Sequence, residues 1–226
     1  VAKYQVQMLA EGPLPDFLER KELLEVIHKK LKGGGYIRTG FECYSLPSSP
    51  MTKAFQEGNA HYGASGHQPG GRVNFIAVGS SSMSNLGNDY YVQNFYDIPS
   101  YKKALDQNLL PSFRGMKLSK DDKIRQHATQ QIRSYFKIDY KNFKEQFGID
   151  AKEYFKKEID FMREMHSDGL VEFAKEGIIL TEIGKDFTQN IMNVFDKYDP
   201  PNKSYKERLD TVKKAKEAQA AIQENI

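Results

Sequence analysis

A single cysteine, Cys43, stands in a chain of 226 residues, and this limits how the chain can be held together. One thiol closes no internal disulfide and supplies neither a multi-cysteine zinc site nor a four-cysteine iron–sulfur cluster. Stability must therefore come from burial. The composition allows it: 39% of residues are hydrophobic and 12% aromatic, with 14 Phe and 13 Tyr, which excludes disorder as the overall state. The length suffices for one large domain or two modest ones. No apolar run approaches the roughly 20 residues needed to cross a bilayer, and no segment reads as a signal peptide. The expectation is a soluble, cytoplasmic chain with no membrane partner, cut from a longer protein because it opens on Val1. Basic and acidic residues number 33 and 30, interspersed, so the net charge of +3 demands no polyanion.

Residues 1–8 alternate apolar and polar and predict a strand that ends before Gly12-Pro13. Asp16 is placed to cap a helix in which Phe17, Leu24, Ile27 and Leu31 form one buried face. Gly33-Gly34-Gly35 should stop it. Residues 36–44 then predict a second strand, parallel to the first by the crossover rule. Glycine and proline punctuate residues 47–72, where a short helix is expected around 52–57. Residues 73–79 predict a short buried strand, followed by the small-residue turn Ser80-Ser81-Ser82-Met83-Ser84.

From Asn94 the pattern becomes helical, with apolar residues three or four apart over 101–108, 120–136, 140–147, 151–167 and 181–198. In the last, Ile183, Phe187, Ile191, Val194 and Phe195 form one stripe. Between the final two helices, residues 168–181 predict two apolar strands around a charged glycine turn, then a Thr-capped helix. This is the hairpin-plus-helix of a winged-helix-like module. Residues 199–226 form a charged tail, solvated or frayed.

Chemistry is thinly marked. A winged helix invites a nucleic-acid reading, but Lys156, Lys157 and Arg163 are balanced by Glu153, Glu158, Asp160 and Glu164, so a structural role is favoured. His61 and His67 share the glycine-rich loop without a carboxylate at ligand spacing, which favours a surface or hydrogen-bonding role over a metal site. Gly79–Ser82 has the composition of a turn whose backbone N–H groups cradle an anion.

One stretch is more specific. VGSSSMSNLGNDYYVQN, residues 78–94, resembles the G-x-G-x-S-A-I-S … Y-x-Q-N signature of the oxygen-independent coproporphyrinogen III oxidase family, within the radical S-adenosylmethionine superfamily. Residues 101–115, 118–140 and 168–198 are similar to segments that follow that signature, and LPDFLERKELLEVIHKKLKGGGYIRTGFECYSLP to a helix and the sixth strand of the family's barrel. The implied fold is α+β. Residues 1–93 would hold the last strands of a partial (β/α) barrel with the signature turn, residues 94–198 a helical domain with the winged-helix-like module, and residues 199–226 the tail.

The resemblance implies an enzyme that oxidatively decarboxylates two propionates of coproporphyrinogen III to vinyl groups. Its cofactors would be S-adenosylmethionine and a [4Fe–4S] cluster held by a CxxxCxxC run that this chain lacks. The chain would thus be a C-terminal part, inactive alone, holding no cofactor by itself and partnered by an N-terminal barrel half and the tetrapyrrole. Met83, at the signature's Ile, and Gln7 are the implied cofactor contacts, while Tyr91, Gln93 and Asn94 match Y-x-Q-N and would line the pocket or brace the turn. Arg125 matches an Arg of the family's helical domain, with an ion pair the simpler role. Ala77, Ser82 and Met83 depart from the signature, as do residues 42–45 and 61–71 from the family's pattern. A haem chaperone, or a sibling enzyme acting on another tetrapyrrole, is the alternative.

Overall fold

A computed structural model of the chain describes Gly12 and residues 14–63, 66–70 and 74–198. The expected first strand, Gln7 and the tail beyond residue 198 lie outside the described residues.

The capped helix forms as α1, Phe17–Gly33. Asp16 Oδ1 accepts from the amides of Leu18 and Glu19, and Glu19 Oε2 accepts from the Asp16 amide at 2.8 Å, which completes a capping box. Gly34 follows as the C-cap, bonded back to the last turn. Its apolar face, expected to be buried, is not: Phe17 is 54% and Ile27 50% exposed, while Leu24 and Leu31 are half-buried. Local periodicity makes the helix, and no described element covers its stripe.

The second expected strand is instead two short ones. β1 (Ile37–Arg38) and β2 (Tyr44–Ser45) pair antiparallel across a tight loop. Gly40 turns that loop at φ +139°, with the His67 ring so close that a Cβ would lie 2.4 Å from it. A hydroxyl run, Thr39–Ser45–Thr52, leads from the loop into α2 (Pro50–Gln56), which starts at the Ser49 cap with Pro50 in its first turn.

The glycine-rich loop contains a hairpin that patterning missed. β3 (Ala60–Gly63) pairs with β4 (Gly66–Pro69). The expected strand at 73–79 reduces to one bridge, Phe75 with Asn85. Ile76 and Val78 are 76% and 86% exposed, because the ladder with β5 stops at that bridge and the Ala77 amide donates to Ser84 Oγ instead. The signature residues form β5 (Met83–Leu86) and β6 (Tyr90–Asn94), joined by Gly87-Asn88-Asp89, the first two left-handed in φ and the Asp89 amide donating to Leu86 O. After α3 (Ile98–Asp106), β7 (Ser112–Lys117) adds a third antiparallel strand to β6.

The remaining elements share one core. They are α4 (Lys120–Tyr135), β8 (Lys137–Asp139), α5 (Tyr140–Phe147), α6 (Ala151–Tyr154), α7 (Lys156–Ser167), β9 (Val171–Phe173), β10 (Gly177–Leu180), a 3-10 turn (Gly184–Phe187) and α8 (Thr188–Asn193). The sheet order is β8-β10-β9, all antiparallel. Two expected helices are interrupted. Phe155 leaves helical geometry (φ −102°, ψ 30°) to put its ring into the core, splitting 151–167 into α6 and α7. The last helix is shortened to α8 because Thr181 closes a turn, its hydroxyl accepting from the Gly184 amide and donating to Gly169 O. Of its apolar stripe, Ile191, Val194 and Phe195 are buried and Ile183 is exposed. The core joins Ile124, Ala128 and Ile132 of α4 to Phe143, Phe155, Met162, Ile178 and Phe195. Phe155 meets Phe143 and Phe195 edge to face, with centroids 5.6 and 5.1 Å apart.

Candidate functional site

The turn before β5 is pinned by its own neighbours. Gly79 and Ser81 have φ of +108° and +62°. Asn94 Nδ2 donates to Gly79 O at 3.1 Å and to Ser82 Oγ at 3.0 Å, and Gln93 Nε2 donates to Ser81 O. The Gly79 amide donates to Tyr101 Oη and the Ser81 amide to Phe95 O. Two N–H groups of the expected anion cradle are thus already committed within the fold.

A cavity of about 590 Å³ opens beside this turn. Met83 and Tyr91 line it from β5 and β6, His61 and Tyr62 from β3, and Met192 and Phe195 from the end of the core. Its polar wall is α4, where Asp122, Arg125, Gln126, Thr129, Gln130 and Arg133 recur at three- and four-residue spacing on one face. The structure therefore brings Met83, Tyr91 and Arg125 to one cavity, whereas Gln93 and Asn94 brace the turn and are absent from the lining. Tyr91 Oη accepts from Gln126 Nε2, which ties β6 to α4. Sequence reasoning missed the α4 stripe, although polar residues at helical spacing opposite the buried Ile124, Ala128 and Ile132 carry the signal.

The α4 N-terminus holds a dense charge network. Arg125 pairs with Asp121 and, at 2.7 Å, with Glu158, and Lys197 reaches both Asp121 (2.9 Å) and Asp122 (2.6 Å). Burial pushes the Asp122 carboxyl up, but hydrogen bonds from Lys197, Ser119 and Tyr198 outweigh it and hold it below the usual carboxylate range. Asp121 is likewise held low: burial raises it, and Tyr154, Lys197 and Arg125 overcome that. Burial and the hydrogen bond to Asp121 push Tyr154 up to about 12. These charges are mutually satisfied.

His67, by contrast, sits beneath Tyr62 (5.0 Å, edge to face) with Nε2 3.1 Å from Phe41 O, and burial lowers its pKa. Cys43 Sγ accepts from Thr39 Oγ1 at 3.4 Å. Among the described residues no group of three or more His, Cys, Asp or Glu is placed to hold a metal ion. The donors here do not fit a three-cysteine cluster.

The signature hairpin and the polar face of α4 thus wall one cavity within a mixed helix–strand fold. Residues 118–187 match the HemN C-terminal domain family. The oxygen-independent coproporphyrinogen III oxidase of Helicobacter pylori strain J99 is 31% identical over 87% of this chain and 43% of its own length. That of Pseudomonas aeruginosa is 29% identical over 83% and 40%. Among solved structures, the coproporphyrinogen III oxidase (HemN) of Escherichia coli, a radical SAM enzyme, superposes with a TM-score of 0.77 at 27% identity, over 82% of this chain and 42% of that one. The chain is thus similar over most of its length to oxygen-independent coproporphyrinogen III oxidases, its residues 118–187 matching the HemN C-terminal domain, and it spans about two fifths of the length of these relatives.

Proposed function

We propose that the chain forms one wall of the site in which a radical SAM enzyme oxidatively decarboxylates coproporphyrinogen III to protoporphyrinogen IX. The supporting observation is the placement of Met83 and Tyr91, both in the signature, on the same cavity as the polar face of α4 from the HemN C-terminal domain. S-adenosylmethionine supplies the oxidising radical in such enzymes, and the cluster that reduces it would belong to protein outside these residues. What this chain contributes is shape and contact. Met83, 44% exposed at the cavity, offers an adaptable thioether surface to the cofactor, and Gln7 is its proposed second contact. Tyr91 offers an aromatic wall to the tetrapyrrole, with Gln93 and Asn94 fixing the turn that carries Met83.

In this reading residues 1–93 are the closing part of a barrel whose other half is the chain's partner, and the exposed stripe of α1 with Ile76 and Val78 faces that half. Residues 94–198 include a winged-helix arrangement, supported by the order α4, β8, α5, α7, β9, β10 with the β9–β10 wing. The setting is cytoplasmic, and among the described residues no helix is long and apolar enough to cross a membrane.

The test is anaerobic turnover by the enzyme carrying this chain, given S-adenosylmethionine and a reductant. Met83→Ala should raise KM for S-adenosylmethionine several-fold while the wild type converts coproporphyrinogen III with release of CO₂. Tight haem binding without decarboxylation would replace the oxidase reading by the chaperone one.

A further inference from the structure

Three cations line the cavity, and two are neutralised. Arg125 is held by Asp121 and Glu158 and by Phe195 O, and Lys197 by Asp121 and Asp122. Arg133 differs. Among the described residues no carboxylate lies within ion-pair distance of it. Its guanidinium stacks 4.1 Å over the Tyr62 ring, and Nη2 donates to Gln189 Oε1 at 3.0 Å. Nε is buried without an acceptor. A guanidinium is a planar cation whose fork of donors matches a carboxylate. Holding one at a cavity wall with its ring stack and one amide, and no counter-charge, leaves charge and donor capacity for a ligand. The site is also built: Tyr62 comes from β3 and Gln189 from α8, both packed against α4, and together they fix the plane of the fork.

We propose that Arg133 receives an aliphatic carboxylate of the ligand, one propionate of the tetrapyrrole, and so sets the orientation of the macrocycle in the cavity. The inference rests on the tetrapyrrole reading above and names the group within that site that fixes an acid side chain. Arg125, eight residues earlier on the same helix and so about 12 Å away along its axis, is already saturated. The two arginines of the stripe therefore have different tasks, Arg125 joining helices and Arg133 reading substrate.

Two titrations of the 226-residue chain test this. In the first, coproporphyrin III, the stable oxidised tetracarboxylic acid, and its tetramethyl ester are titrated in the same detergent and followed by fluorescence. Arg133→Gln should weaken the free acid at least tenfold and leave the ester unchanged, and Arg133→Lys should recover part of the loss. Equal binding of the free acid by wild type and R133Q overturns the inference alone. In the second, sodium propionate is added to the wild type while the Arg133 guanidinium resonances are followed by NMR, which needs no variant to fold. A saturable shift without coproporphyrin binding keeps the carboxylate site and removes the tetrapyrrole reading. Absence of both overturns both.

Discussion

Gly177 begins β10 where it crosses β8, and a Cβ there would stand 1.9 Å from Ile138 O. That atom is backbone and cannot swing aside, so the two strands must separate to admit a methyl group. Gly177→Ala is expected to cost about 2–3 kcal/mol, read as a lower urea midpoint with unchanged slope. Phe155 presents the opposite case, a side chain that cannot be spared. It is 1% exposed and touches Phe143 and Phe195, and Arg125 lies 5.7 Å from its ring centroid. Phe155→Ala should remove about 3–5 kcal/mol by equilibrium denaturation. Asn94 is a third such residue: its amide holds both Gly79 O and Ser82 Oγ, so its loss loosens the turn before Met83 without opening the core.

α4 is the element on which the two faces of the molecule meet, apolar inward and polar toward the cavity. Its N-terminal carboxylates give it a pH response. Asp121 and Asp122 titrate lower in the folded chain than their ordinary 3.8. Their contribution is thus present above that value and is lost as pH falls through the folded ones. Lys197→Met should shrink this acid limb, measured as the slope of stability against pH below about 4. His67 acts in a separate window. Burial lowers it from 6.5, so the unfolded chain takes up its proton first and stability declines as pH drops below that value. His67→Gln should flatten the decline between pH 6.5 and its folded titration.

The same element shows what was legible in the sequence. Ser119 with Asp122 spells a capping box and Ile124, Ala128 and Ile132 a stripe, so α4 follows from local rules. The shapes of 36–44 and 73–79 do not. Both read as strands, but a strand exists only through its neighbour. The first folds back on itself around the close approach of Gly40 to His67, and among its described residues the second keeps a single β-bridge, to Asn85. The candidate site divides likewise. Met83 and Tyr91 are found by motif, whereas Arg133 belongs to it only because β3 and α8 bring Tyr62 and Gln189 alongside, 71 and 56 residues distant in the chain.

At the scale of the whole molecule, burial is uneven. The core around α4 is closed, while Leu14 before α1 and Phe17, Leu18, Val26 and Ile27 on it are exposed, and Ile76 and Val78 stand free. Surface of this kind drives association. The isolated chain should sediment with a concentration-dependent mass, and Phe17→Glu with Ile27→Glu should reduce it without lowering the melting temperature. One further tie runs across the molecule. Tyr135 Oη accepts from the Ala60 amide and donates to the Ala60 carbonyl, both at 2.7 Å, so a single phenol on α4 clasps the hairpin that roofs the cavity. A chimera spliced at residue 94 between two relatives would take the hook from one parent and the eye from the other. Such exchanges should succeed only when residues 60–69 travel with the helix that fastens them.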